Sequence, residues 1–459
     1  MNFKTIDELL DYTKNIVGKS INDIVKDKED FNDTHSMNKT KGILGNLVET
    51  EFYHYSVNND PNADFDNLGV ELKVAGLIEG KNGLRVKERL VLTMINYMNI
   101  VNETFDTSHL IEKNKLILIL WYNYVKGLDC KDYKFINFFL LSLFRDKEII
   151  ENDYNIIRNK VLEGKAHELS EGDTTYLGAC TKASKSTDRT QQPKSSIPAK
   201  PRAFCLKHSY MKLLYEEMSS DNFHFPSERK KHNYLSVIEY VESKLKPYFN
   251  KTQKQICDEL NINIENNPKN INKMISDKII GKDKDLINID EIFKYSTYII
   301  KNSPYYGDNK PKERMSFRNI SLSELEESWD NSEWKLYFEQ VTIINIRYFY
   351  ENSKSKNGTG ILKDVKKITF NNQDLESMKK TYNMLRLAIQ KYKNRELGEE
   401  IENYFQLLPT PNSFEGQILD ILPKRSRGKN SYKTLFDNNN DTTKVAFALT
   451  KDFLSGKMS

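Results

Sequence analysis

The chain has 459 residues, 38% hydrophobic and 29% charged, enough to bury substantial cores and too many for one ordinary domain. Its formal charge of +4 comes from 69 basic and 65 acidic residues, a balance too even to mark a nucleic-acid protein by itself. The longest apolar stretches, Leu116–Tyr122 and Phe135–Phe144, fall short of the roughly 20 residues that cross a bilayer, which excludes a membrane span. Cys130, Cys180, Cys205 and Cys257 lack metal-ligand spacing and the seven histidines form no HExxH or HxxxH pair, so neither a disulfide framework nor a zinc site is indicated.

The N-terminal MNFKTIDELLDYTKNIV places acids between its apolar residues and reads as an amphipathic helix rather than a secretion signal, so the expected location is the cytoplasm. Thr40–Tyr55 spaces Ile43, Leu44, Leu47, Val48, Phe52 and Tyr55 as a helix does, and the turn-rich NNDPNADFDN follows at 58–67. Leu68–Val74 predicts a strand, with Leu68, Val70, Leu72 and Val74 on one face and Gly69, Glu71 and Lys73 on the other. Lys115–Val125 predicts a second strand and Ile149–Leu162 a helix. Positive charge is concentrated in two places. Lys182–Lys212 has eight basic residues against one acid, Asp188, and Leu422–Thr434 has five basic residues and no acid.

An internal repeat joins these two runs. KERL at Lys87 echoes KERM at Lys312, NETFDTS at Asn102 echoes EESWDNS at Glu326, and KLILILWYNY from Lys115 matches VTIINIRYFY from Val341. EGDTTYLGACTKAS from Glu171 is likewise answered by EGQILDILPKRS from Glu415. A period above 200 residues implies two copies of a whole domain, with the boundary near PSERKKHNY at 226–234. The expected fold is α/β, a mixed sheet flanked by helices, in two tandem domains, 1–225 and 226–459.

Hydrolysis of a phosphodiester needs carboxylates that converge with a divalent cation beside the scissile phosphate. Asp64, followed seven residues on by Glu71-Leu72-Lys73, offers this pattern, and its oxygen donors suit Mg²⁺. Alone, D…ExK also describes the solvent face of many half-exposed strands. The stretches KGILGNLVE (41–49), DFDNLGVELK (64–73), DTSHLIEKNKLILILW (106–121), EGDTTYLGACTKA (171–183) and PRAFCLK (201–207) together resemble the MutH family of PD-(D/E)xK endonucleases. GKAHELSEG at 164–172, KERLVL at 87–92 and the degenerate second half resemble its restriction branch, whose members cleave at GATC.

That resemblance implies Asp64 and Glu71 as metal ligands, Lys73 as the lysine of the ExK element, Glu49 as a further acid and Lys115 as an active-site lysine. Asp66 competes with Asp64, and Lys113 with Lys115. It also implies DNA contacts from Lys182, Lys185, Arg202 and Lys207. Cys180-Thr181 and Cys205 depart from the repair enzyme's pattern, and read as small buried residues. In the second half, TYIIK at 297–301 stands for GVELK, so Ile299 replaces Glu71, Ile292 replaces Asp64 and Val341 stands opposite Lys115, while Lys301 remains. Lys424, Arg425, Arg427 and Lys429 form its DNA-facing loop. The resulting expectation is a Mg²⁺-dependent type II restriction endonuclease that cuts duplex DNA at GATC. Its second domain is inactive and allosteric, and the chain is a monomer of two dimer-like halves that can pair with another chain on DNA. A repair-type nicking enzyme and a non-enzymatic DNA-binding protein are the alternatives.

Overall fold

The computed structural model describes residues 3–25, 42–55, 62–80, 83–183, 185, 187–219, 237–264, 270–281, 297–307, 310–352, 354–355, 358–424, 428–437 and 441–457. The chain divides into two compact units, Met1–Leu235 and Ser236–Ser459. The boundary expected at 225/226 lies within 220–236, outside the described residues.

The first unit contains strands β1 (Val70–Gly80), β2 (Gly83–Val86), β3 (Leu90–Met94), β4 (Leu116–Asn123), β5 (Phe135–Ser142), β6 (Leu177–Thr181), β7 (Thr190–Gln192), β8 (Ser195–Ala199) and β9 (Arg202–Leu206). Its main sheet has the order β2-β1-β4-β5, in which only the central β1–β4 pair is parallel. Leu116–Trp121 reads as a continuous apolar run because β4 lies between two neighbours with both faces covered. A second sheet, β3-β9-β6, is antiparallel. The expected helix over Thr40–Tyr55 is shorter: a helix at Ile43–Leu47 passes into a wider π turn at Val48–Phe52, and 26–41 lie outside the described residues. Leu44, Leu47, Val48 and Phe52 pack there with Val70, Leu72, Leu118 and Leu120 in one core. The strand predicted from Leu68 starts instead at Val70, because Asp66–Leu68 forms a 3₁₀ turn closed by Gly69 at φ 64°, a conformation that favours glycine. The helix predicted from Ile149 runs over Lys147–Leu162.

The second unit repeats this plan. Its strands are β10 (Tyr298–Tyr306), β11 (Lys310–Pro311), β12 (Met315–Ser321), β13 (Thr342–Tyr350), β14 (Ile361–Ile368), β15 (Leu419–Pro423) and β16 (Thr442–Leu449). They form sheets β11-β10-β13-β14 and β12-β16-β15, again with a parallel central pair, β10–β13. Local details repeat with them. The Lys87 N–H donates to Gly76 O at 2.9 Å and the Lys312 N–H to Pro304 O at 2.9 Å. Ser108 and Ser332, which end the NETFDTS and EESWDNS segments, each cap the following helix, His109–Asn114 and Glu333–Gln340. Among the described residues, no helix is long and apolar enough to cross a membrane.

Asp153 fixes the strand that leads to the basic loop of the first unit. It is 0% exposed, and its carboxylate accepts backbone N–H bonds from Thr175 at 2.8 Å, Tyr176 at 2.7 Å and Leu177 at 2.9 Å. Burial pushes this carboxyl up to about 6, against the opposing pull of those three N–H groups and Lys207. Asp153→Ala strands the three donors in a dry interior, so it should destabilise the first unit by about 3 kcal/mol, read as a lowered urea midpoint of that unit's unfolding.

Candidate active site

Glu71 lies on β1 and is 2% exposed, although it is a carboxylate. Its Oε1 accepts a hydrogen bond from the Lys73 ammonium and lies 3.8 Å from the ammonium of Lys113. Its Oε2 accepts the Asp64 N–H at 3.3 Å, while the Asp64 carboxylate accepts the Leu72 N–H at 2.8 Å, which ties the preceding turn to the strand. Glu49 approaches from the π turn, a backbone form found often at functional sites. Its carboxyl is pushed up to about 7, chiefly by burial, then by Asp64 and Glu71, with Lys73 and Lys113 opposing. Burial and Asp64 also raise Glu71, against Lys73 and Lys113. Glu49, Asp64, Glu71, Lys73 and Lys113 therefore form one electrostatic group.

Two of the residue choices resolve differently. Asp64 joins this group, whereas Asp66 is exposed in the 3₁₀ turn. The lysine that faces Glu71 is Lys113, where the resemblance implied Lys115. Lys113 sits in the last turn of helix His109–Asn114, where its ammonium donates to Asn62 O at 3.1 Å and faces Glu71. Two helical positions amount to about 200° of rotation, so Lys115 points elsewhere, exposed and 5.5 Å from the centre of the Phe144 ring. Sequence reasoning missed Tyr55 as a site residue. Its hydroxyl is buried without a hydrogen-bond partner among the described residues, and the charges of Asp64, Glu49 and Glu71 act on it.

Burial and the neighbouring Asp64 and Glu71 make Glu49 keep its proton to higher pH than an ordinary carboxyl, and once it ionises three carboxylates stand against the two ammoniums of Lys73 and Lys113. An all-oxygen donor set with surplus negative charge fits a hard divalent cation, for which Asp64 and Glu71, with Glu49 beside them, supply the donors. Among the described residues, the one trio of possible metal ligands whose ligand atoms all lie within 4.8 Å of one another is a different one, Glu171, Cys180 and Cys205. There Glu171 is ion-paired with Arg89 at 2.6 Å, and burial together with Cys180 drives the Cys205 thiol well above its ordinary value. Both cysteines pack as small buried residues, at 1% and 0% exposure.

The proposed DNA contacts separate into two kinds. Lys182 and Lys185 are exposed beyond the end of β6, with Arg189 exposed nearby. Arg202 and Lys207 are buried instead. The buried Arg202 guanidinium donates to the carbonyls of Ala179 and Leu169, and the buried Lys207 ammonium donates to Thr174 O at 2.8 Å. Both charges are turned to backbone carbonyls inside the unit, and a phosphate would have to break those bonds to meet them. In the second unit Lys424 and Lys429 are exposed, and Arg425 and Arg427 lie outside the described residues.

A mixed sheet with a parallel central pair thus carries Asp64, Glu71 and Lys73 on adjoining turn and strand, as the resemblance to PD-(D/E)xK endonucleases implies. The family described as DNA mismatch repair enzyme MutH matches residues 53–153, which include Asp64, Glu71, Lys73 and Lys113. Over an alignment of 485 positions the chain is 29% identical to the type II restriction enzyme Sau3AI of Staphylococcus aureus, with 96% of each chain covered. These likenesses support a MutH-like restriction endonuclease, a site-specific deoxyribonuclease.

The raised Glu49 carboxyl has a measurable consequence. A carboxyl held at about 7 in the fold, against 4.5 ordinarily, binds its proton more tightly when folded. The associated stability is present at low pH and is lost as pH rises through about 4.5 to 7. In EDTA, Glu49→Gln should therefore raise stability by about 1–2 kcal/mol at pH 8 and change it little at pH 5. Urea unfolding at the two pH values measures this; an equal difference at both would show that Glu49 titrates normally.

Proposed function

We propose that the first unit hydrolyses both strands of duplex DNA at GATC with Mg²⁺, and that the second unit does not cut but binds another GATC duplex that stimulates the first. The observation carrying this reading is that Glu49, Asp64, Glu71, Lys73 and Lys113 converge in one unit, while in the other Ile299 and Glu339 stand at the positions of Glu71 and Lys113 and only the lysine of the strand is kept. By strand register, Val70 opposite Leu116 corresponds to Tyr298 opposite Thr342, which sets Ile299 at the place of Glu71 and Lys301 at that of Lys73. Glu339 falls at the place of Lys113 and is ion-paired with Lys335 at 3.8 Å. Ile292 lies outside the described residues. GATC is the sequence that the restriction-branch motifs imply.

When bound, Mg²⁺ would neutralise phosphate charge and acidify water. The chain's own residues prepare the rest. Glu71, held from both sides by Asp64's N–H and two ammoniums, is fixed in position before DNA arrives. Lys73, partly exposed beside it, can orient water and a phosphate oxygen, and Lys113 adds positive charge on the same side. Tyr55 offers an unspent hydroxyl to the same space.

Incubation of supercoiled plasmid with Mg²⁺, followed by sequencing of the ends, tests this reading. Linear fragments ending at GATC are expected; nicked circles alone would favour a repair-type enzyme, and intact plasmid a binding protein. Glu71→Ala should abolish cleavage but not DNA binding in EDTA, and Lys113→Ala should slow cleavage about 10²-fold or more, whereas Lys115→Ala should cut like the parent.

The allosteric part has its own expected outcome. A second DNA can activate only by favouring the active arrangement. A one-site plasmid should be cut more slowly than a two-site plasmid, and an uncleavable GATC duplex added in trans should accelerate it. Equal rates on both plasmids, unmoved by the added duplex, would leave the second unit a structural partner only.

A further inference from the structure

The second unit has lost more than its carboxylates: the sign of charge at the corresponding place is reversed. Lys301 occupies the register position of Lys73. Lys424 occupies that of Lys182, since each follows the strand before the basic loop and donates its N–H at 2.9 Å to an equivalent carbonyl, Lys444 O and Pro201 O respectively. In the second unit these two lysines meet on one residue. The Lys301 ammonium donates to Ser316 O at 2.6 Å, and the Lys424 ammonium donates to the Ser316 hydroxyl at 2.6 Å.

The pairing is uphill by itself. Burial and the neighbouring Lys424 lower the Lys301 ammonium, and burial lowers Lys424. Among the described residues no carboxylate faces either ammonium, and the position of Glu71 is filled by Ile299, which packs against the unit's hydrophobic core. Where the first unit has carboxylates that need a cation before an anion can approach, the second has two cations and a hydroxyl ready for an anion. Lys424 also opens a stretch of sequence without acids that runs to Lys433; Lys429 in it is exposed, while Lys433 is ion-paired with Glu402.

We propose that Lys301, Lys424 and the Ser316 hydroxyl hold one backbone phosphodiester of the effector DNA directly, without a metal ion, at the place that corresponds to the reacting phosphate of the first unit. This rests on the reading that the second unit binds DNA. Lysine ammoniums bind phosphate as point charges, so the two can leave Ser316 and close on a shared oxygen pair without rearranging the strands. The effector site then keeps its DNA when divalent cations are removed.

The test uses the full chain carrying Glu71→Ala, in EDTA, titrated with labelled GATC duplexes in which each phosphate in turn is replaced by an uncharged methylphosphonate. Two duplexes per chain are expected, and for one of them a single methylphosphonate position should weaken binding about tenfold. Adding Lys301→Met and Lys424→Ala should weaken the unmodified duplex by a similar factor and abolish that position's effect. The slope of log affinity against log salt should fall by about one. Lys424→Ala alone, at an exposed side chain, should show the same loss of position dependence if Lys301→Met fails to fold, and Lys301→Arg, which keeps the cation, should retain that dependence. Two duplexes per chain with the variants indistinguishable from the parent would overturn the phosphate cradle while sparing DNA binding by the second unit. One duplex per chain, unaffected by either substitution, would overturn both.

Discussion

The parallel pairing of β1 with β4 is the constraint on which the site depends. Parallel neighbours enter the sheet from the same end, so whatever precedes β4 is brought beside whatever precedes β1. Asp64 belongs to the turn before β1, Glu71 and Lys73 to the first residues of that strand, and Lys113 to the helix before β4. Residues about 40 positions apart in the chain thus meet at one end of one sheet. The antiparallel strands on either side extend the sheet, and the helix and π turn over residues 43–52 cover it and deliver Glu49.

Charge placed at such a position has to be compensated, and the two units do this in opposite ways. In the first, burial and mutual repulsion raise Glu49 and Glu71, while Lys73 and Lys113 offset part of the cost. The surplus is negative and favours a divalent cation. In the second, aliphatic Ile299 removes the negative charge, and Lys301 and Lys424 leave a positive surplus. One backbone plan carries two electrostatic solutions, and the difference arises from a few side chains at matched register positions.

A separate buried network supports the basic loop of the first unit. Asp153 collects three N–H groups from residues 175–177, Lys207 satisfies Thr174 O, and Arg202 satisfies Ala179 O and Leu169 O. These groups hold the end of β6 in place, and Lys182 projects beyond it as an exposed cation. The positive charge of the Lys182–Lys212 run is therefore divided: part holds the frame, and part is left exposed on the surface.

Much of this was legible in the sequence because it is written in local spacing. The alternation around Glu71 and Lys73, the seven-residue step from Asp64, and the ordered echoes between the halves all survive as strand, turn and repeated sheet. The sequence also determined that Ile299 and Lys301 would stand where Glu71 and Lys73 do, since that depends only on aligned strand positions. Tertiary structure decided the rest. Whether Lys113 or Lys115 faces Glu71 depends on where a helix ends, and two residues of helical rotation reverse the answer. Whether Arg202 and Lys207 meet DNA or backbone depends on which carbonyls the fold leaves without a donor, and the convergence of Lys301 with Lys424 on Ser316 depends on two sheets being brought together. Spacing records the direction of a side chain along its own element; only packing between distant elements fixes what it touches.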